Sequence, residues 1–118
     1  MTQKISEVLK AARELITDPK HWTQGWFART IQDGQVGPEH KFAVCFCSLG
    51  ALYKVVPGLW QLEEDGEGQE TTSDAIKFLH KFCEDHHGMD IAMFNDNHTH
   101  AEVLELFDKA IEEAIKHE

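Results

Sequence analysis

Apolar residues near both ends of the chain recur every three or four positions, the period of one face of an α-helix. Near the start they are Ile5, Val8, Leu9, Ala12, Leu15 and Ile16, with Lys4, Glu7, Lys10, Arg13 and Glu14 on the other side. Near the end they are Val103, Leu106, Phe107, Ala110, Ile111 and Ala114. That second stripe is opened by Thr99-x-x-Glu102, the capping box in which each side chain bonds the other residue's backbone N–H. Each helix has one apolar stripe to bury, so the chain must close around a helical core. With 118 residues, 42% of them hydrophobic, it has material for one core, and the expectation is a single globular domain spanning 1–118 that needs no disulfide or structural metal.

The rest of the chain is read against these two helices. Thr2 is the expected cap of the first, and Thr17-Asp18-Pro19 ends it, because proline disfavours helical geometry in the residue before it. Lys20 to Pro38 is aromatic, polar and glycine-rich. Within it, Asp33-Gly34 is a turn signal, with glycine as the expected left-handed residue, and Ala28–Ile31 and Gln35–Val36 are the candidate arms of a short hairpin. The run from Glu39 to Val56 is apolar nearly all round and reads as a central buried helix closed by Pro57-Gly58. Its small residues Ser48, Gly50 and Ala51 would let another element come close to the backbone. Residues 59–71 are acidic and read as an exposed linker. Asp74 to His87 returns to helical period, with Thr72 or Ser73 as cap and Gly88 as stop, and Met89 to Phe94 reads as extended. The fold class is therefore mainly α: about four helices, with a short hairpin or irregular segment after the first.

Formal charge is −10, and it is unevenly placed. Residues 1–62 hold seven basic and five acidic side chains, whereas residues 63–118 hold four and sixteen. The field of the acidic half opposes nucleic acid and anionic lipid, so no direct nucleic-acid binding is expected. No apolar run reaches the roughly 20 residues that span a bilayer, and the acids in the first helix do not suit a signal peptide. The expected location is the cytoplasm. Three cysteines, Cys45, Cys47 and Cys83, are too few for a disulfide framework and read as reduced core thiols. The amphipathic terminal helices leave a symmetric homodimer open.

Histidine is the unusual count, since five of eight (His80, His86, His87, His98, His100) fall within 21 positions. His80, Cys83 and His87 share one helical face and, with His98 or His100, are the candidate metal ligands. Two helical turns, roughly 10 Å, separate His80 from His87, so one helix can supply only two ligands, and the expectation is no metal and no cofactor. Cys45 and Cys47, two apart on a helix, would point about 200° away from each other. A calcium loop aligned on Gly66 would need acids where Gln61 and Thr72 stand. The phosphate-loop, dinucleotide, zinc-protease and nucleophile-elbow signatures do not occur.

What periodicity leaves unexplained is a polar and aromatic set: Trp22, Gln24, Trp26, Arg29 and Asp33 in the irregular segment, with Asn95 and Asp96 far along the chain. Tryptophan, arginine and amides in irregular segments are the usual material of interfaces and small-ligand clefts, so these seven are the candidate binding residues. As structural devices, the same residues would fill the core or satisfy backbone groups ahead of the last helix.

The order of short motifs is informative. An amphipathic first helix, W-x-Q-G (Trp22 to Gly25), A-R (Ala28-Arg29), D-G (Asp33-Gly34), C-x-x-G-A-L (Cys47 to Leu52), N-D (Asn95-Asp96) and E-V-L (Glu102 to Leu104) resembles the bacterial and phage family called domain of unknown function 6197. The resemblance runs from about Ile5 to Ala114; Phe94 stands where family members often carry tryptophan, and neither the acidic linker nor the histidine cluster looks like a family feature. It transfers no activity, and its phage setting implies an accessory or host-interaction protein. The leading expectation is a non-enzymatic binding module for a protein or small ligand. The alternatives are a small metal-assisted or hydrolase-like enzyme using Asp33, Asp96 and a histidine such as His98, and an acidic mimic of nucleic acid. Helical pairs such as Lys77 with Asp74 and Lys81 with Asp85 would dilute the charge a mimic needs.

Overall fold

A computed structural model of the chain describes residues 4–56 and 74–118. Helix α1, Ile5–Leu15, buries Val8, Leu9 and Ala12 and ends at its C-cap Ile16, ahead of Pro19. Its N-cap is Lys4; Thr2 lies outside the described residues. A 3-10 turn, Pro19–His21, is capped by the Asp18 carboxylate, which accepts from Lys20 N at 2.9 Å.

The expected hairpin forms: β1, Ala28–Arg29, pairs antiparallel with β2, Gln35–Val36. The left-handed residue of its turn is Asp33, at φ 70°, in place of the expected Gly34. Aspartate tolerates that region better than most side chains, and Thr30 Oγ1 accepts the Gly34 N–H at 3.1 Å.

The segment expected to be one long helix from Glu39 is divided. Cys45–Phe46 is a third strand, β3, on the other edge of β1, giving the order β2-β1-β3, and helix α2 covers only Ser48–Val55. A continuous apolar run carries no period to separate strand from buried helix. Here the edge of β1 decides, because its flanking groups take the run's donors: Val44 N–H bonds Arg29 O at 2.9 Å and Cys47 N–H bonds Phe27 O at 3.1 Å. Cys45 is therefore on a strand and Cys47 is the N-cap of α2, its thiol accepting Gly50 N–H at 3.2 Å, so the two thiols do not share a helix. The expected stop at Pro57-Gly58 and the acidic linker 59–71 lie outside the described residues, as do the caps Thr72 and Ser73.

Helix α3, Asp74–His87, ends where Gly88 takes φ 70°. The segment expected to be extended is instead a helix, α4, Ile91–Asn97. Asp90 caps it by accepting Met93 N–H at 2.8 Å, and Ile91, Phe94 and Asn95 are buried at the i, i+3, i+4 spacing of one helical face. Helix α5, His100–Lys116, begins with the capping box expected at Thr99 and Glu102 and buries all six residues of its expected stripe. The described residues thus hold five α-helices and a small three-stranded sheet, one helix and one strand more than the sequence led us to expect.

Helix α1 lies against α5, α2 and α3, and one continuous core joins Leu9, Leu52, Leu79, Ile91, Val103 and Phe107. Arg13 binds Asp108 with two parallel bonds, 2.9 and 3.1 Å, tying α1 to α5 on the outside. None of the helices among the described residues is long and apolar enough to cross a membrane.

Candidate functional site

Asn95 is the centre around which the polar residues gather. It is 1% exposed, on the inner face of α4. Its Oδ1 accepts the Trp22 indole N–H at 2.9 Å, the Ser48 N–H at 2.9 Å and the Ser48 hydroxyl at 2.7 Å. Its Nδ2 donates to Thr23 O at 3.0 Å and Asp96 Oδ1 at 3.3 Å. Three donors on one side and two acceptors on the other fix which way the amide points. One buried side chain therefore joins the irregular segment after α1, the start of α2, and α4.

The neighbouring residues extend the same clamp. Gln24 Nε2 donates to the carbonyls of Asn95 at 2.9 Å and His98 at 3.1 Å, satisfying two of the carbonyls at the C-terminal end of α4. Gly25, at φ 84°, turns the chain so that its N–H meets Asp96 Oδ1 at 2.9 Å. Arg29 folds back on its own loop, donating to Thr23 Oγ1 at 3.1 Å, Gln24 O at 3.2 Å and Asp33 O at 3.3 Å, with the Asp33 carboxylate 3.8 Å away.

Six of the seven sequence-selected residues, Trp22, Gln24, Arg29, Asp33, Asn95 and Asp96, are thus brought into one hydrogen-bonded network. Trp26 is reached differently. The residue is 44% exposed, its ring makes a T-shaped contact with Phe27 at 6.1 Å, and it borders an apolar slot of about 140 Å³ with Asp96. Gly25, Phe27, Leu49, Ala92 and the Cys47 thiol complete its walls. Burial pushes the Cys47 thiol up to about 11, with the Asp96 charge adding to the effect, so at neutral pH it is a neutral wall and not a nucleophile.

Sequence reasoning missed Ser48, Thr23, Leu49 and Ala92. Ser48 was hidden inside what read as a helix interior; its signal was the change from the strand-like Cys45-Phe46 to a helix start. Leu49 and Ala92 carry no signal, being ordinary apolar residues that the fold happens to place beside the slot.

The histidines do not converge on a metal site. His100 Nε2 contacts Ile16 O at 2.7 Å, and the Cys83 thiol bonds Asp90 O at 3.7 Å. His98 Nδ1 meets Phe94 O at 2.9 Å while its ring stacks on Phe94 at 3.8 Å. The His87 ring lies 4.6 Å from the Phe94 ring and 6.3 Å from that of His98. His80 Nδ1 is buried without a hydrogen-bond partner among the described residues. Among those residues, no three His, Cys, Asp or Glu side chains form a group able to hold an ion. His86, His87 and His98 instead line a second groove, of about 500 Å³, with Phe82, Glu102 and Lys109. The acids named for hydrolase chemistry are also separately engaged: Asp33 with Arg29, Asp96 with Gly25, while His98 faces the imidazole groove.

No curated protein and no solved structure matches the chain. The model of the family of unknown function DUF6197 matches residues 1–113, a span that holds the whole Asn95 network and every wall of the slot, and the chain belongs to that family.

Proposed function

We propose that this domain is a non-enzymatic protein-binding module whose slot between Trp26 and Asp96 receives a single side chain of its partner. The observation that carries the reading is the convergence of two polar motifs, some 70 residues apart, on the rim of one apolar slot. Size favours a protein partner over a free small ligand: about 140 Å³ is below the roughly 300 Å³ at which small-molecule sites begin, but it accepts one anchoring side chain. The rigid clamp beneath supports the same use, because a preorganised rim loses little entropy on binding. The host-interaction role that the family's phage setting implies is one form of such a module. The mimic reading gains little from the helical acids, of which Asp85 and Glu105 are paired with Lys81 at 3.4 Å and Lys109 at 3.7 Å.

Selection of a phage-displayed random peptide library on the wild-type protein, with counter-selection on Trp26→Ala, tests the proposal. Enriched peptides that lose at least tenfold in affinity for the variant are the expected result. Peptides that bind both proteins equally, or no enrichment, would overturn it.

A further inference from the structure

We infer that the partner's anchor is a lysine side chain, its aliphatic stem in the slot and its ammonium group between the Trp26 ring and the Asp96 carboxylate. This deepens the reading above and rests on it. Three observations carry it.

The first is that Asp96 is a carboxylate held in place but not neutralised. Its Oδ1 takes the Gly25 N–H at 2.9 Å and the Asn95 Nδ2 at 3.3 Å, leaving Oδ2 without a protein donor among the described residues. No lysine or arginine among those residues stands within ion-pair distance of it. Arg29, on the same loop as Gly25, is committed to Thr23, Gln24 and Asp33. A fixed negative charge at the rim of an apolar slot selects a cation.

The second is the aromatic part of the wall. Trp26 is half-exposed beside the same opening, and an indole face is the best aromatic partner for an ammonium or guanidinium group. Phe27, Leu49 and Ala92 offer an apolar lining for a stem of methylenes, the arrangement in which a long cationic side chain buries its carbons and keeps its head at the surface.

The third separates lysine from arginine. A guanidinium fork gains its advantage by engaging both oxygens of a carboxylate in parallel, and here Oδ1 is already occupied by backbone and amide donors. A single ammonium needs one oxygen, and one is open.

The test uses the peptides enriched on wild-type protein. Peptides aligned on a lysine should bind at least tenfold more weakly to Asp96→Asn, which keeps an acceptor for Gly25 but loses the charge. Replacing the peptide's lysine by norleucine should cost as much, arginine should cost less, and raising salt should weaken the lysine peptide but not the norleucine one. Peptides that depend on Trp26 but carry a neutral anchor, or that bind Asp96→Asn unchanged, would overturn the lysine anchor and leave the module standing. An arginine preference would overturn the choice of lysine. Absence of any Trp26-dependent peptide would overturn both. Unchanged thermal unfolding of Asp96→Asn ties a loss of binding to the charge.

Discussion

Trp22 and Asn95, 73 positions apart, meet in a 2.9 Å hydrogen bond between the indole N–H and the amide oxygen. The same oxygen caps the start of α2 through Ser48, so a single side chain fixes the loop, α2 and α4 relative to one another. Stability of this contact is stability of the rim above it.

Removing the amide should therefore unfold more than a local contact. Asn95→Ala leaves the Ser48 N–H and hydroxyl, the Trp22 N–H and the Thr23 carbonyl without their buried partner, and the expected loss is about 3 kcal/mol. Trp22→Phe keeps most of the ring and loses one donor, for about 1 kcal/mol. Urea unfolding at constant m-value measures both; equal and small shifts would show that the amide is not the hub.

Gly50 reverses an ordinary rule. Glycine to alanine inside a helix normally stabilises by about 1 kcal/mol. Here a Cβ would collide with the Phe27 carbonyl, its carbon only 2.8 Å away, where the chain entering β1 passes α2. Gly50→Ala should destabilise by about 2 kcal/mol, because two backbones must separate. Gly88→Ala meets no atom within 4 Å and should cost about 1 kcal/mol through its φ of 70° alone. A comparison of the two midpoints separates collision from backbone strain.

The terminal helices were legible because each buries one stripe, and the hairpin because Asp33-Gly34 marks its turn. The run through Cys45 and Phe46 was not, since residues apolar on every side have no period and the choice of strand belongs to the distant edge of β1. Ile91–Asn97 was missed because a seven-residue helix shows barely two turns, although Asp90 signalled its start. The site residues were legible as residues that periodicity left over. Their division of labour was not: nothing local tells that Asn95 is buried structure while its neighbour Asp96 faces a slot.

His87 should titrate below the ordinary histidine range. Removal from solvent lowers it first, and the neighbouring His98 and His86 add to the effect. A histidine depressed in the folded state is protonated more readily when unfolded, so the stability it contributes is complete above about pH 6.5 and is lost as pH falls below that value. Following imidazole resonances by NMR, His98→Gln should move the His87 midpoint upward. An unmoved midpoint would show that the two rings do not sense each other across the groove.

Cys47 and Cys83 should be inert. Burial pushes each thiol up to about 11, with nearby carboxylates, Asp96 for one and Asp90 and Glu84 for the other, acting in the same direction. At pH 8 neither is appreciably ionised, and since the thiolate is the species that reacts, alkylation of the folded protein by iodoacetamide should spare both. Denaturant should expose them to full modification, read by peptide mass. The linkage runs opposite to that of His87: an acid raised in the folded state loses its proton first when unfolded, so stability should decline as pH rises from about 9 toward 11. Cys47 carries a further test, because its sulfur accepts the Gly50 N–H as the cap of α2. Cys47→Ser keeps an acceptor there, whereas Cys47→Ala removes it and should cost about 1 kcal/mol more. Equal stability of the two variants would mean that the cap contributes nothing and that Cys47 serves α2 through packing alone.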